Sequence, residues 1–248
     1  MKEAERWQGG EPLFGLSLTY ADAAIAELAA WCGYDFVILD AEHGVCDESA
    51  QLSVLRMLEP TPTLGLVRVR PRDDSAIARY LDFGADGILI PDVRSATQAQ
   101  CIVEAAYGRW TGGLRADRYG AEAAVAKARA LILVLIESEP GISSIEAIVA
   151  MPGIDGVIVG TGDLSTRLGM PGDFRAPAFL AALERIERAT RAAGKILGGK
   201  PDPTAPIPRL IERGYRIFII ARDMPLMRRA LTETLTAARR DTQRSEKG

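Results

Sequence analysis

The only histidine of the 248-residue chain, His43, closes the segment Asp35-Phe36-Val37-Ile38-Leu39-Asp40-Ala41-Glu42-His43-Gly44. A short apolar run, 36–39, stops abruptly there at Asp40, Glu42 and His43. An imidazole beside carboxylates suits general acid–base chemistry, because imidazole exchanges protons near neutral pH. A lone histidine in a turn is weak evidence, and the weight comes from further along the chain. Arg68 stands among Leu66, Val67 and Val69, and a charge inside an apolar strand is costly unless it is paired. Glu137 follows the run 131–136, and Asp163 follows 156–159 through Gly160-Thr161-Gly162. Two carboxylates completed by water suit Mg²⁺ or Mn²⁺ better than Zn²⁺, which prefers nitrogen and sulfur. Taken singly, Glu137 reads as an acid in the first turn of a helix and Asp163 as a helix N-cap. Taken together, beside Arg68 and His43, they favour a metal.

These residues must be brought together by the elements that carry them. Apolar runs at 13–18, 36–39, 64–69, 87–90, 131–136, 156–159, 195–197 and 216–220 read as strands. Helical patterns alternate with them at 21–31, 48–58, 75–83, 96–106, 142–150, 177–193, 206–213 and 224–238. Ser49, Asp74 and Ser143 stand near predicted helix starts, and Gly33, Gly84, Gly194 and Gly214 just past predicted ends, where a left-handed residue suits glycine. Continuous apolar strands imply a sheet buried on both faces, and hence a parallel one. Eight βα units in this length predict a single-domain (β/α)8 TIM barrel over residues 1–248. The runner-up is a doubly wound sheet, but the turn after the first strand lacks its glycine-rich fingerprint. In a barrel all strand C-termini form one ring, so Asp40, Glu42, His43, Arg68, Glu137 and Asp163 would converge. The stretch 107–130, with Gly112, Gly113, Arg115, Arg118 and Tyr119, reads as a functional loop over the mouth. The polar tail 239–248 reads as frayed.

Composition bounds the partners. With 48% hydrophobic and 25% charged residues and a net charge of −3, the chain is an ordinary globular protein with no nucleic-acid partner expected. Residues 1–10 hold no apolar signal-peptide core, and no run is long enough to span a bilayer. Cys32, Cys46 and Cys101 are three and widely spaced, which fits a reducing cytoplasm and neither a disulfide framework nor a zinc cluster. Cys46, three residues after His43, reads as a plain loop thiol.

The ordered set of motifs resembles the HpcH/HpaI aldolase family, the metal-dependent pyruvate-type aldolases, from about Gly15 to Leu231. The segment 35–44 looks like that family's second-strand motif and Gly84-Ala85-Asp86-Gly87-Ile88-Leu89-Ile90-Pro91 like its fourth strand. Arg115-Ala116-Asp117-Arg118-Tyr119-Gly120 resembles its Arg-Tyr loop, and Ile136-Glu137 with Gly160 to Gly169 its metal-site pair. The resemblance implies that Glu137 and Asp163 bind the divalent ion, Mg²⁺ or Mn²⁺ with Co²⁺ as a further candidate. It implies that Arg68 holds the carbonyl oxygen of a 2-keto acid and stabilises its enolate. His43 would act as acid and base, through metal-bound water or the aldol hydroxyl, with Asp40 and Asp82 orienting it. Ser138, Thr161, Gly162, Arg118, Arg222 and Lys200 are the expected substrate contacts. No lysine stands in a strand at a matching place, which disfavours a Schiff base.

The implied reaction is retro-aldol cleavage of a 4-hydroxy-2-keto acid to a pyruvate enolate. The alternatives are decarboxylation of oxaloacetate or a related β-keto acid, trapping of the enolate as in macrophomate synthase, or a barrel that binds without turnover. The resemblance also implies a homo-oligomer, expected to be a hexamer, with the last helix exchanged between subunits. The departures lie around the pocket. Leu135 stands where Gln is common, Ser17 where Trp is, and Thr161 where Pro is. Asp92 replaces an apolar residue, Lys200 an apolar stretch, and Arg222 a small residue. They place the acceptor half of the substrate, rather than the metal core, in question.

Overall fold

The computed structural model describes residues 10–45, 47–108, 129–202 and 204–245. Its strands are β1 (Leu13–Leu18), β2 (Phe36–Asp40), β3 (Leu64–Arg68), β4 (Gly87–Ile90), β5 (Leu131–Ile136), β6 (Gly156–Val159), β7 (Ile196–Gly199) and β8 (Tyr215–Arg222). Each pairs in parallel with its sequence neighbour, and β8 pairs with β1, so the sheet closes into a barrel. This is the expected TIM barrel. Leu13, Phe36, Ile38, Leu64, Leu66, Leu89, Leu131, Leu133, Leu135, Ile158 and Ile217 fill the interior. Alternate positions such as Val37, Leu39, Val67, Ile88, Ile132, Val134 and Val157 pack outward under the helices. Gly15 is what lets the ring of Phe36 into the interior, because a Cβ there would lie 1.9 Å from a ring carbon.

The helices are α1 (Ala23–Trp31), α2 (Glu48–Leu58), α3 (Asp74–Asp82), α4 (Ala96–Val103), α5 (Glu139–Ser143), α6 (Ile145–Val149), α7 (Thr161–Arg167), α8 (Pro177–Ala192), α9 (Ile207–Glu212) and α10 (Asp223–Ser245). Side chains of Asp22, Asp47, Asp73 and Ser95 cap α1 to α4 by accepting first-turn N–H groups. The caps therefore lie one or two residues before Ser49 and Asp74, and Ser143 closes α5 instead of opening a helix. Gly33, Gly84, Gly194 and Gly214 take the left-handed φ expected of them.

Four other differences from the predicted elements have local causes. The predicted helix 142–150 starts three residues earlier, because Pro140 is tolerated in a first turn, and breaks at Ser144 (φ −102°, ψ 5°). Helix α4 ends in one π turn over Glu104–Gly108. The short helix α7 is not among the predicted ones, since its Thr-Gly-Asp start carries no apolar period. Helix α10 runs on to Ser245, so the polar segment 239–245 is helical where fraying was expected. No described helix is long and apolar enough to cross a membrane. Residues 109–128, including Arg118 and most of the expected mouth loop, lie outside the described residues, as does Cys46.

Candidate active site

The C-terminal end of β2 is built around Asp40. Register places it directly beside Arg68 at the end of β3. Arg68 donates from Nε to Asp40 Oδ1 at 2.9 Å and from Nη2 to Oδ2, a bidentate pair. Both residues are buried. Asp40 Oδ1 also accepts the backbone N–H groups of Glu42 (3.2 Å) and His43 (3.0 Å). The turn is tight enough to need Gly44, whose N–H donates to the Asp40 carbonyl at 3.0 Å. A Cβ on Gly44 would lie 2.0 Å from that oxygen and 2.7 Å from the carbonyl of Thr19. Burial alone would raise the Asp40 pKa, but the bonds from Arg68 and from the N–H groups of His43 and Glu42 outweigh it and hold the carboxyl below its usual range. Asp40 thus positions His43 through its backbone.

The imidazole itself stands 67% exposed, with Nε2 3.6 Å from Glu42 Oε2. Glu42 Oε2 also lies 3.4 Å from Arg68 Nε. Burial raises the Glu42 pKa above its ordinary value, against the pull of Arg68 and His43. Asp82 is not where the family pattern implies. It is the last residue of α3, which runs back from the mouth, and Gly84 then turns the chain toward the start of β4. Asp82 therefore stands at the opposite end of the barrel from His43 and does not orient that ring within one chain.

The second half of the site lies on β5 and β6. Glu137 follows β5 and is only 4% exposed. Gly160 at the end of β6 makes room for it, since a Cβ there would lie 2.6 Å from Glu137 Oε2. Among the described residues Glu137 accepts no hydrogen bond, and its nearest cation, Arg167 Nη2, is 3.9 Å away. Burial, and next the charge of Asp163, push its pKa up to about 7, with Arg167 opposing. Asp163 sits in the first turn of α7 and faces the barrel mouth.

Behind this pair is a network that the sequence reading does not anticipate. Asp92 is buried with a left-handed φ of 51°. It accepts from Ser138 Oγ at 2.7 Å and from Arg94 Nε at 2.8 Å, and pairs with Arg167 Nη1 at 2.8 Å. The hydroxyl of Ser138 thus donates to Asp92. Arg94, two residues after Asp92, and Arg167, four residues after Asp163 on α7, were within reach of spacing arguments. Only the structure shows that both turn to Asp92.

The strand ends enclose a cavity of about 330 Å³. Arg68, Thr161, Gly162, Asp163, Lys200 and Arg222 line it over a floor that includes Ile38, Leu89, Leu135, Ile158 and Ile219. Six of the expected site residues thus line one cavity, and Glu137 lies just behind Gly160. The donor set fits a hard divalent cation. A buried carboxylate with no hydrogen bond, beside a second carboxylate, carries charge that such an ion would neutralise. Among the described residues no three His, Cys, Asp or Glu side chains form a metal cluster, so two protein carboxylates would leave the remaining ligand positions to water and substrate.

Comparison with known proteins agrees with this architecture. The chain is 35% identical over 239 residues to a hydroxypyruvate/pyruvate aldolase of Pseudomonas aeruginosa, covering 92% of this chain and 89% of that protein. Its fold superposes on an HpcH/HpaI aldolase/citrate lyase family protein from Burkholderia cenocepacia with a TM-score of 0.82 at 30% identity, over 95% and 97% of the two chains. It superposes on the citrate synthase SbnG with a TM-score of 0.86 at 26% identity, over 98% and 99%. The HpcH/HpaI aldolase/citrate lyase model matches residues 13–228, a span that includes every strand of the barrel and the acids at its mouth. The chain belongs to the HpcH/HpaI aldolase/citrate lyase family.

Proposed function

We propose that this protein, an aldolase of its family, is a divalent-metal-dependent carbon–carbon lyase that cleaves a 4-hydroxy-2-keto acid to pyruvate and an aldehyde. One observation carries the metal: Glu137 is buried without a hydrogen-bond donor among the described residues, beside Asp163. Glu137 and Asp163 would hold Mg²⁺, Mn²⁺ or Co²⁺. When bound, such an ion supplies Lewis-acid polarisation of the keto acid.

The chain's own residues account for the rest. Guanidinium has five N–H donors, and Asp40 takes two of those on Arg68. Others remain for the keto oxygen at the cavity wall. The bidentate clamp fixes that donor before substrate arrives, so it costs little reorganisation as negative charge develops. In cleavage the C3–C4 bond breaks and its electron pair stays with C3 as the enolate. The C4 hydroxyl proton passes to His43, and the C4 fragment leaves as the aldehyde. Protonation at C3 then gives pyruvate.

The test is exchange of pyruvate methyl protons in D₂O, which needs enolate formation but no aldehyde. Exchange should occur with Mg²⁺ or Mn²⁺, stop with EDTA and return on adding metal. Glu137→Ala and Asp163→Ala should abolish it and leave the circular dichroism spectrum unchanged. Full exchange in metal-stripped protein overturns the metal assignment, and no exchange under any condition overturns the enzyme reading.

A further inference from the structure

We propose that Asp92 is a positioning residue that keeps Glu137 open for the divalent ion by holding Arg167 away from it. This rests on the metal assignment above and names what sets the affinity of that site. Asp92 follows β4 by two residues, Glu137 and Ser138 follow β5, and Arg167 ends α7 beyond β6. One aspartate thus meets groups from the two strands that come after its own. Arg167 stands four residues after Asp163 on α7. That spacing puts both side chains on one face of the helix, which brings the guanidinium to the carboxylate pair.

The guanidinium of Arg167 stands between two buried carboxylates. Its Nη1 is 2.8 Å from Asp92 Oδ2, and its Nη2 is 3.9 Å from Glu137 Oε1. Among the described residues these are the acids within 4 Å of it. An N–H···O bond spans about 2.9 Å, so a shift of about 1 Å would bring Nη2 onto Glu137. A long side chain that is 38% exposed makes such a shift with small torsion changes. A charge-assisted bond of this kind is a strong one. It would occupy the carboxylate that the ion needs, and the ion would have to displace it.

Asp92 is built to prevent that. Ser138 Oγ fixes its Oδ1 at 2.7 Å, and Arg94 fixes its Oδ2 through Nε at 2.8 Å and through Nη2. Arg94 is itself anchored, because its backbone N–H donates to Gln98 Oε1 of α4 at 2.9 Å. The backbone φ of 51° at Asp92 is one that few side chains besides Asn and Asp adopt readily. The carboxylate is therefore set in place before Arg167 reaches it. A buried carboxylate is costly unless paired, and pairing here draws Arg167 toward Asp92 and off Glu137. Ser138 is also the chain neighbour of Glu137, so the same aspartate tethers the segment that carries the candidate ligand.

The test is calorimetric titration of Mn²⁺ into the metal-free protein, for the wild type, Asp92→Asn, Arg167→Met and the double variant. Asparagine tolerates the same left-handed backbone, so the melting temperature of metal-free Asp92→Asn should change little. Asp92→Asn should weaken Mn²⁺ binding about tenfold or more, and Arg167→Met should strengthen it several-fold. In the double variant the loss should nearly vanish, leaving affinity within about threefold of Arg167→Met, because the two sites are coupled. If Asp92 acted only through its own charge or by supporting the fold, Asp92→Asn would cost the same factor with or without Arg167. That additivity overturns the proposal. Should Asp92→Asn fail to fold, Arg167→Met decides alone: stronger binding supports the proposal, and unchanged or weaker binding rejects it. The wild type and Glu137→Ala are titrated first. No Mn²⁺ binding by the wild type, or binding that Glu137→Ala leaves intact, overturns the metal assignment and the role of Asp92 with it. Binding that needs Glu137 but shows no coupling overturns the role of Asp92 alone.

Discussion

His43 is held by its backbone while its ring stands largely exposed beside Glu42. Asp40 accepts the N–H of His43 and Gly44 closes the turn, yet the imidazole remains largely exposed, as the proposed transfer of a proton from the substrate's C4 hydroxyl requires. His43→Ala should therefore slow aldol cleavage by roughly 10²–10⁴, the usual worth of a positioned acid–base group. Decarboxylation of oxaloacetate should suffer less, because loss of CO₂ removes no hydroxyl proton. Steady-state kinetics on both substrates checks this, and equal losses would mean that His43 only binds substrate or holds structure. Residue types and spacing were enough to place His43, Arg68, Glu137 and Asp163 at the C-terminal ends of their strands. They could not show that Ser138 turns to Asp92, nor that Asp82 is the last residue of α3, because both depend on where an element ends and what lies beside it.

At the scale of elements, the close approach of β5 to β6 is what shapes the proposed metal pair. Gly160 leaves the space that the Glu137 carboxylate occupies. Gly160→Ala should displace that carboxylate and weaken divalent-metal affinity roughly 10–100-fold, the range found when the support of a ligand is lost. The melting temperature of the metal-free protein should move little, and isothermal titration with Mn²⁺ reads the affinity directly. Unchanged affinity would show that Glu137 does not bind metal from this position. The barrel strands were legible because parallel strands covered on both faces are unbroken apolar runs. β7 was read as 195–197 although it continues to Gly199, because glycines carry no hydropathy signal. Helix α7 was missed for a related reason, since its first turn is held by backbone bonds and a buried Leu164 rather than by an amphipathic period.

At the scale of the molecule, α10 is the outlier. Met224, Met227, Leu231 and Leu235 are all 46–64% exposed along it, and every residue from Met227 to Asp241 is exposed. An apolar stripe of this kind marks an interaction surface, and its expected occupant is a second copy of the chain. Light scattering at micromolar concentration should give a multiple of 26.7 kDa, expected to be sixfold, and Leu231→Lys with Leu235→Lys should lower it. A wild-type monomer would contradict this. The seam between β1 and β8 has a consequence of another kind, in the order in which the protein can be made. Thr19 donates its N–H to Asp223, 204 residues later, and β1 gains its second neighbour only when β8 exists. At about 5–20 residues per second of synthesis, β1 spends roughly 10–40 s with one open edge. An open strand edge is a template for pairing with other chains. The newborn chain is therefore most exposed to aggregation before its final strand emerges, and a ribosome stalled short of β8 would hold a barrel that cannot shut.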